Sequence, residues 1–194
     1  MFGTARTQIQ KPTLYATSAD FCRIFEKNMG RLYLLSLLLT GSQAAAEKCF
    51  VQGLGDSKEG NPVFKEWAES WARRTVARNA IQMIRPRPTD VLPSEPVADS
   101  GGALQPPEIA VILALPTFDR FAYVLSVLEG YALQECALLL DCSRNEVITA
   151  RMRALQGVVT SLQLRSNVLS IGTEQQIPRE NVELDSLSRL AAAA

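Results

Sequence analysis

Histidine is absent from the 194 residues. That removes the commonest general base, the commonest metal ligand and every Ser/His or Cys/His nucleophile pair. The four cysteines, Cys22, Cys49, Cys136 and Cys142, include no C-x-x-C pair, so neither a zinc site nor a redox motif is spelled out. They read as small apolar side chains in a reducing compartment. There is no glycine-rich phosphate loop, and no catalytic constellation emerges. The expectation is a protein that is not an enzyme and holds no metal or cofactor. Charge of one sign is missing too, because 20 Lys and Arg balance 20 Asp and Glu. The longest apolar run, Leu32 to Leu39, is broken by Ser36 and falls far short of the roughly 20 residues that cross a bilayer. Met1 to Lys11 is polar, which predicts no secretion signal, and the chain reads as cytoplasmic with no membrane partner.

What is present is helical. Apolar residues make up 47% of the chain, enough for a buried core. Residues 1–17 read as a tail. Phe21, Ile24, Phe25, Leu32, Leu35 and Leu39 recur mostly at three- and four-residue steps, predicting a helix from Ser18 or Ala19 to Leu39. Gly41 suits a C-terminal cap and Ser42 an N-cap. A second helix should run to about Leu54, followed by a polar loop over Gly55 to Asn61. Pro62 can open a third helix that reaches Ile84 and carries Phe64, Trp67, Trp71, Val76 and Ile81.

Six prolines lie between Arg85 and Pro107, with Gly101 and Gly102 among them. Regular structure cannot propagate through such a stretch, so residues 85–107 read as a linker. Beyond it, Ile109 to Leu115 could be helix or strand by period alone, and its place before a helical series favours helix. Pro116 and Thr117 open a helix bearing Phe118, Phe121, Leu125 and Leu128, and Gly130 ends it. A short helix over Ala132 to Leu140 precedes a long one from after Ser143 to about Leu164. Residues 165–194 read as a second tail. The fold expectation is all-α: two small helical bundles, 18–84 and 108–164, joined by a Pro-rich linker, with a C-terminal helix-turn-helix.

That helix-turn-helix rests on Gly130 to Leu155. Ala137 is small enough for a close helix crossing, and Asp141 tolerates the left-handed backbone of a sharp turn. Ser143-Arg144-Asn145-Glu146 spells a capping box. Val147, Ala154 and Val158 repeat on one face, which leaves Asn145, Ile148, Thr149, Met152 and Gln156 on the other. A helical hairpin packed for stability alone would share this pattern.

The motifs Leu115-Pro116-x-x-Asp119-Arg120, Leu128-Glu129-Gly130-Tyr131, Glu135-Cys136-Ala137, Ser143-x-x-Glu146-Val147 and Arg153-Ala154-Leu155 resemble region four of the two-domain bacterial sigma factors of the extracytoplasmic-function group. Leu39-Thr40-Gly41-Ser42, Ala46-Glu47, Gln52, Trp71 and Ala77-Arg78-Asn79-Ala80 are similar to sigma region two. The resemblance covers roughly Ala19 to Ile84 and Glu108 to Leu164. It implies a transcription initiation factor whose partners are core RNA polymerase and promoter DNA, with an anti-sigma protein as a further candidate partner. It implies that Glu47 and Gln52 lie on the polymerase-binding helix and that Arg73, Arg74 and Arg78 lie near −10 DNA. Arg144, Asn145, Thr149 and Arg153 would belong to the recognition helix.

Charge supports this unevenly. Residues 1–89 hold 13 basic and 7 acidic residues, whereas 110–165 holds five of each. Arg73, Arg74, Arg78, Arg85 and Arg87 occur with no acid from Ser70 to Thr89, a phosphate-contacting stripe or a solvated face. Trp67 and Trp71 either fill the core or stack on an unpaired base. Ile148, Ala150 and Lys48 depart from the family's charged pattern, and Ile148 with Met152 equally suits a protein-binding surface. The alternative function is therefore a sigma-derived interaction module that no longer reads promoters.

Overall fold

The computed structural model describes residues 14–90 and 106–174, with side chains described as far as residue 164. The helices are α1 (Ser18–Lys27), α2 (Met29–Thr40), α3 (Gln43–Glu59), α4 (Ala68–Ile84), α5 (Pro107–Leu113), α6 (Thr117–Tyr123), α7 (Leu133–Leu140) and α8 (Arg144–Glu174). A 3-10 turn, Lys65–Trp67, precedes α4, and a π-helical turn, Val124–Leu128, extends α6. The protein is all-α. Among the described residues the only extended pairing is an isolated bridge between Tyr15 and Phe64. No described helix is long and apolar enough to cross a membrane.

Several boundaries differ from the sequence expectation for local physical reasons. The first helix breaks at Asn28, whose side-chain amide donates to the Ile24 carbonyl at 3.0 Å and competes with the backbone ladder. The second helix runs on to Glu59 through the expected loop, tied by the buried Ser57 hydroxyl donating to the Gly53 carbonyl at 2.7 Å. A Cβ on Gly53 would lie 2.8 Å from Val76 Cγ2, so glycine is what lets α3 approach α4. Pro62 does not open the third helix, which begins at Ala68 after the 3-10 turn. The segment from 107 is helix, as favoured. Residues 14–17 are not free: Ala16 and Lys65 amides donate to the Val63 and Leu14 carbonyls. The expected C-terminal tail starts late, because α8 continues to Glu174. The rest of both tails, and 91–105 of the linker, lie outside the described residues.

The described residues up to Val158 form one compact unit, and those from Val159 belong to a second. Within the first, the helices on either side of the linker do not keep separate cores. Leu32, Leu35, Leu39 and Val76 share one buried cluster with Phe118, Phe121, Leu125 and Val147. A smaller cluster of Phe21, Val63 and Ala68 sits under α1. The two groups of helices are also fastened by Arg120, 3% exposed, which donates to the Leu39 carbonyl at the end of α2 and to the Leu113 carbonyl of α5. Burial lowers its pKa to about 10, still charged at neutral pH. Gly41, at φ 82°, terminates α2 directly against it; a Cβ there would lie 3.0 Å from the Arg120 guanidinium. Left-handed backbone and crowding both demand glycine.

Candidate nucleic-acid interface

α4 carries small residues where it is buried, with Ala68, Ala72, Val76, Ala77 and Ala80 inside. Thr75 and Asn79 are buried among them, and the charged and aromatic side chains line its margins. At about 100° per residue, Trp71, Arg74 and Arg78 share one stripe and Arg73 turns away from it. The three arginines do not form the single array expected. Arg78 is exposed. Arg74 is paired, its Nη1 lying 2.6 Å from Glu135 Oε1 on α7. Arg73 is half-buried and lines a cleft of about 620 Å3 together with Phe64, Trp67, Trp71, Tyr131 and Glu135. The two tryptophans differ: Trp71 packs against the small core cluster of Phe21, Val63 and Ala68, and Trp67 does not. Trp67 is 58% exposed and meets Phe64 edge-on at 5.4 Å. Trp71 is half-buried.

A second, more polar cleft of about 390 Å3 lies along the next stretch of α4, lined by Trp71, Thr75, Arg78, Asn79, Gln82 and Asp56, among others. Two of these lining residues carry buried donors without a hydrogen-bond partner, Trp71 Nε1 and Asn79 Nδ2. Asn79 is 6% exposed. A buried donor without an acceptor costs about 1–3 kcal/mol, so the pair marks a place where an acceptor from outside would be welcome. The sequence reading missed Asn79 as a site residue. Its signal was a lone amide on an otherwise alanine- and valine-rich face.

On α3, Glu47 and Gln52 are both exposed, and Glu47 accepts from the Gln43 side chain at 3.3 Å. Five residues apart, they stand about 140° apart around the helix. They close the two ends of an exposed arc that also holds Lys48 and Val51, and they do not meet at one point.

The C-terminal elements follow the sequence closely. α7 ends at Asp141, left-handed at φ 51°, and a three-residue turn leads into α8. The capping box is complete: Ser143 N donates to Glu146 Oε2 at 2.7 Å, and Glu146 N donates to Ser143 Oγ at 3.2 Å. These bonds hold the Glu146 carboxyl below its usual range. Val147, Ala150 and Ala154 are fully buried, so Ala150 faces the core and cannot stand where a DNA-contacting cation would. Arg144, Asn145 and Thr149 are exposed, together with Ile148, Met152 and Gln156.

Arg153, its side chain 40% exposed, is also tied into the fold. Its Nε and Nη2 grip both carboxylate oxygens of Asp119 at 2.9 and 2.6 Å, which raises its pKa. The Asp119 side chain is 3% exposed. A bidentate pair of this kind fixes orientation as well as charge, so Arg153 fastens α8 to α6. Cys49 and Cys136 are buried, as expected, whereas Cys142 is half-buried and Cys22 is exposed. No family model matches the chain, and comparison with curated proteins finds no relative.

Proposed function

We infer that this chain is a sigma-like transcription initiation factor that binds core RNA polymerase and promoter DNA in the bacterial cytoplasm. One observation carries the reading beyond the motif resemblance. Exposed Arg78 lines a cleft together with Trp71 and Asn79, whose buried N–H donors lack acceptors. An unpaired nucleobase supplies acceptors along its edge and its backbone supplies a phosphate for the arginine. Trp67, exposed at the head of the same helix, offers a stacking face. Asn145 and Thr149 on α8, with Arg144 beside them, supply the hydrogen-bonding side chains that duplex contact requires.

The test is retention on core RNA polymerase followed by promoter-dependent transcription with the purified full chain. Retention and specific transcripts are expected, with Asn79→Ala losing about tenfold in open-complex formation, the worth of one hydrogen bond at 1.4 kcal/mol. A chain that neither co-elutes with the polymerase nor supports transcription ends the reading.

A second reading, an interaction module that no longer reads promoters, is favoured by one feature. Ile148 and Met152 present apolar surface at the centre of the would-be recognition face, 36% and 53% exposed. Salt-sensitive binding of duplex promoter DNA that is lost in Asn145→Ala would count against it.

A further inference from the structure

The larger cleft, of about 620 Å3, is not the one on which the transcriptional reading rests. Its size is that of small-molecule sites, whose walls are mostly apolar and aromatic with a few polar groups that fix orientation. The walls come from both sides of the linker. Phe64 and Trp67 belong to the 3-10 turn and its approach, Trp71 to α4, and Tyr131 to the segment ahead of α7.

The charges of this cleft are unevenly matched. Glu135 is held by Arg74 at 2.6 Å, and Glu129 by Arg31 at 3.7 Å. Both acids of the lining are therefore answered. Arg73 is the remaining charge. It joins none of the ion pairs among the described residues, not even with Glu69 one turn earlier. Across the cleft, Tyr131 is hydrogen-bonded only through its backbone. Burial and Glu129 raise the pKa of its hydroxyl, and Arg74 and Arg73 act against them. The hydroxyl is thus a donor at neutral pH and lies within the field of both arginines.

We propose that this cleft binds a small planar aromatic acid bearing a single negative charge. The flat ring lies among the aromatic walls, where ring contacts gain more than their area alone. The carboxylate answers the unmatched guanidinium of Arg73, a charge-assisted contact, and accepts from the Tyr131 hydroxyl. One unmatched cation calls for one anionic group, and a flat, partly exposed indole at Trp67 calls for a flat partner. A molecule seated there touches α4 and the segment before α7 together, so it adds to the Arg74–Glu135 pair in joining the two groups of helices. It also covers Trp67, and a stacked nucleobase must compete with it for that face.

The probe is cinnamate, titrated calorimetrically into the full chain with neither polymerase nor nucleic acid present. The result is therefore independent of the transcriptional reading, and failure on polymerase leaves it standing. The chain has two tryptophans and both line the cleft, so their indole N–H resonances report where the probe sits. Saturable one-to-one binding that shifts both resonances is expected. Cinnamamide, flat but neutral, and the Arg73→Met variant should each weaken binding about tenfold, the worth of a hydrogen bond to a charged group. Cyclohexanecarboxylate, charged but not flat, and Trp67→Ala should each weaken it about threefold. Arg73 has no partner to lose and Trp67 is exposed, so unchanged helical circular dichroism should accompany both variants. Absence of saturable binding overturns the proposal, as do indole resonances that do not move. Cinnamamide or cyclohexanecarboxylate binding as tightly as cinnamate overturns it too, and so does Arg73→Met or Trp67→Ala binding cinnamate like the wild type.

Discussion

α4 and α8 both commit one arginine to a carboxylate from a distant part of the chain, and the two pairs are equally short. Arg74 meets Glu135 at 2.6 Å and Arg153 meets Asp119 at 2.6 Å. They differ in where the acid lies. The Glu135 side chain is 34% exposed and the Asp119 side chain 3%. Water reaches Glu135 more readily than it reaches Asp119, although the two arginines are similarly exposed, at 43% and 40%. Distance alone therefore does not say what an ion pair does. The α4 pair is the more exchangeable and leaves Arg74 recruitable by a phosphate; the α8 pair anchors on a buried acid and fixes the orientation of Arg153.

The largest effect that would sharpen this contrast comes from Arg153→Met. It strands a buried carboxylate, a situation that costs about 3–5 kcal/mol, and the urea midpoint should fall accordingly. A loss below about 1 kcal/mol would mean that Asp119 has another route to solvation and that the two pairs are alike.

The helix starts differ in the same direction. α8 begins on a complete capping box, whereas α4 begins at Trp67 with no side-chain cap. Ser143→Ala should cost about 1 kcal/mol, read as a lower thermal midpoint. The same change at Ser70, which only donates to the Trp67 carbonyl at 2.9 Å, should cost less than half of that. Equal losses would remove the distinction.

How much of this could be read in advance depends on whether a feature is local. The all-α class, the Asp141 turn, the Gly41–Ser42 stop and start and the Ser143/Glu146 box depend on residues within a few positions of one another, and all of them are legible in the sequence. The roles of Arg74 and Arg153 were not, because each is decided by an acid 61 or 34 residues away. Arg120 was quoted only as part of a motif; its part in fastening α2 to α5 needs the fold. The proline-rich stretch separates two groups of helices along the sequence, but composition cannot say whether those helices share a core, as they do here. Asn79 had a faint signal, a polar side chain within an alanine face, whose meaning depends on the unpartnered amide.

A smaller effect tests the exchangeable pair itself. Arg74→Met should change folding stability by no more than about 0.5 kcal/mol, the range of exposed ion pairs. Binding of single-stranded DNA should weaken and lose about one unit of its salt slope, because a phosphate contact is gone. If stability falls several-fold further while the slope is unchanged, Arg74 belongs with Arg153 as a structural fastening.

The smallest effect separates α8's cap from the rest of the molecule by pH. The Glu146 carboxyl is held below its ordinary value of 4.5, first by its side-chain bond with Ser143 and then by the backbone amide there. A carboxyl whose folded pKa is depressed contributes stability that is fully present above its unfolded pKa. That contribution is lost as pH falls through the folded one. The urea midpoints of wild type and Glu146→Gln should therefore stay apart by a constant amount near neutral pH and draw together below about pH 4.5. Asp20, which caps α1 against Thr17 in the same way, is also held low. Because that cap is intact in both proteins, its titration cancels in the difference. A gap that persists unchanged to pH 3 would mean that Glu146 acts by packing or propensity and that its charge contributes nothing to the start of α8.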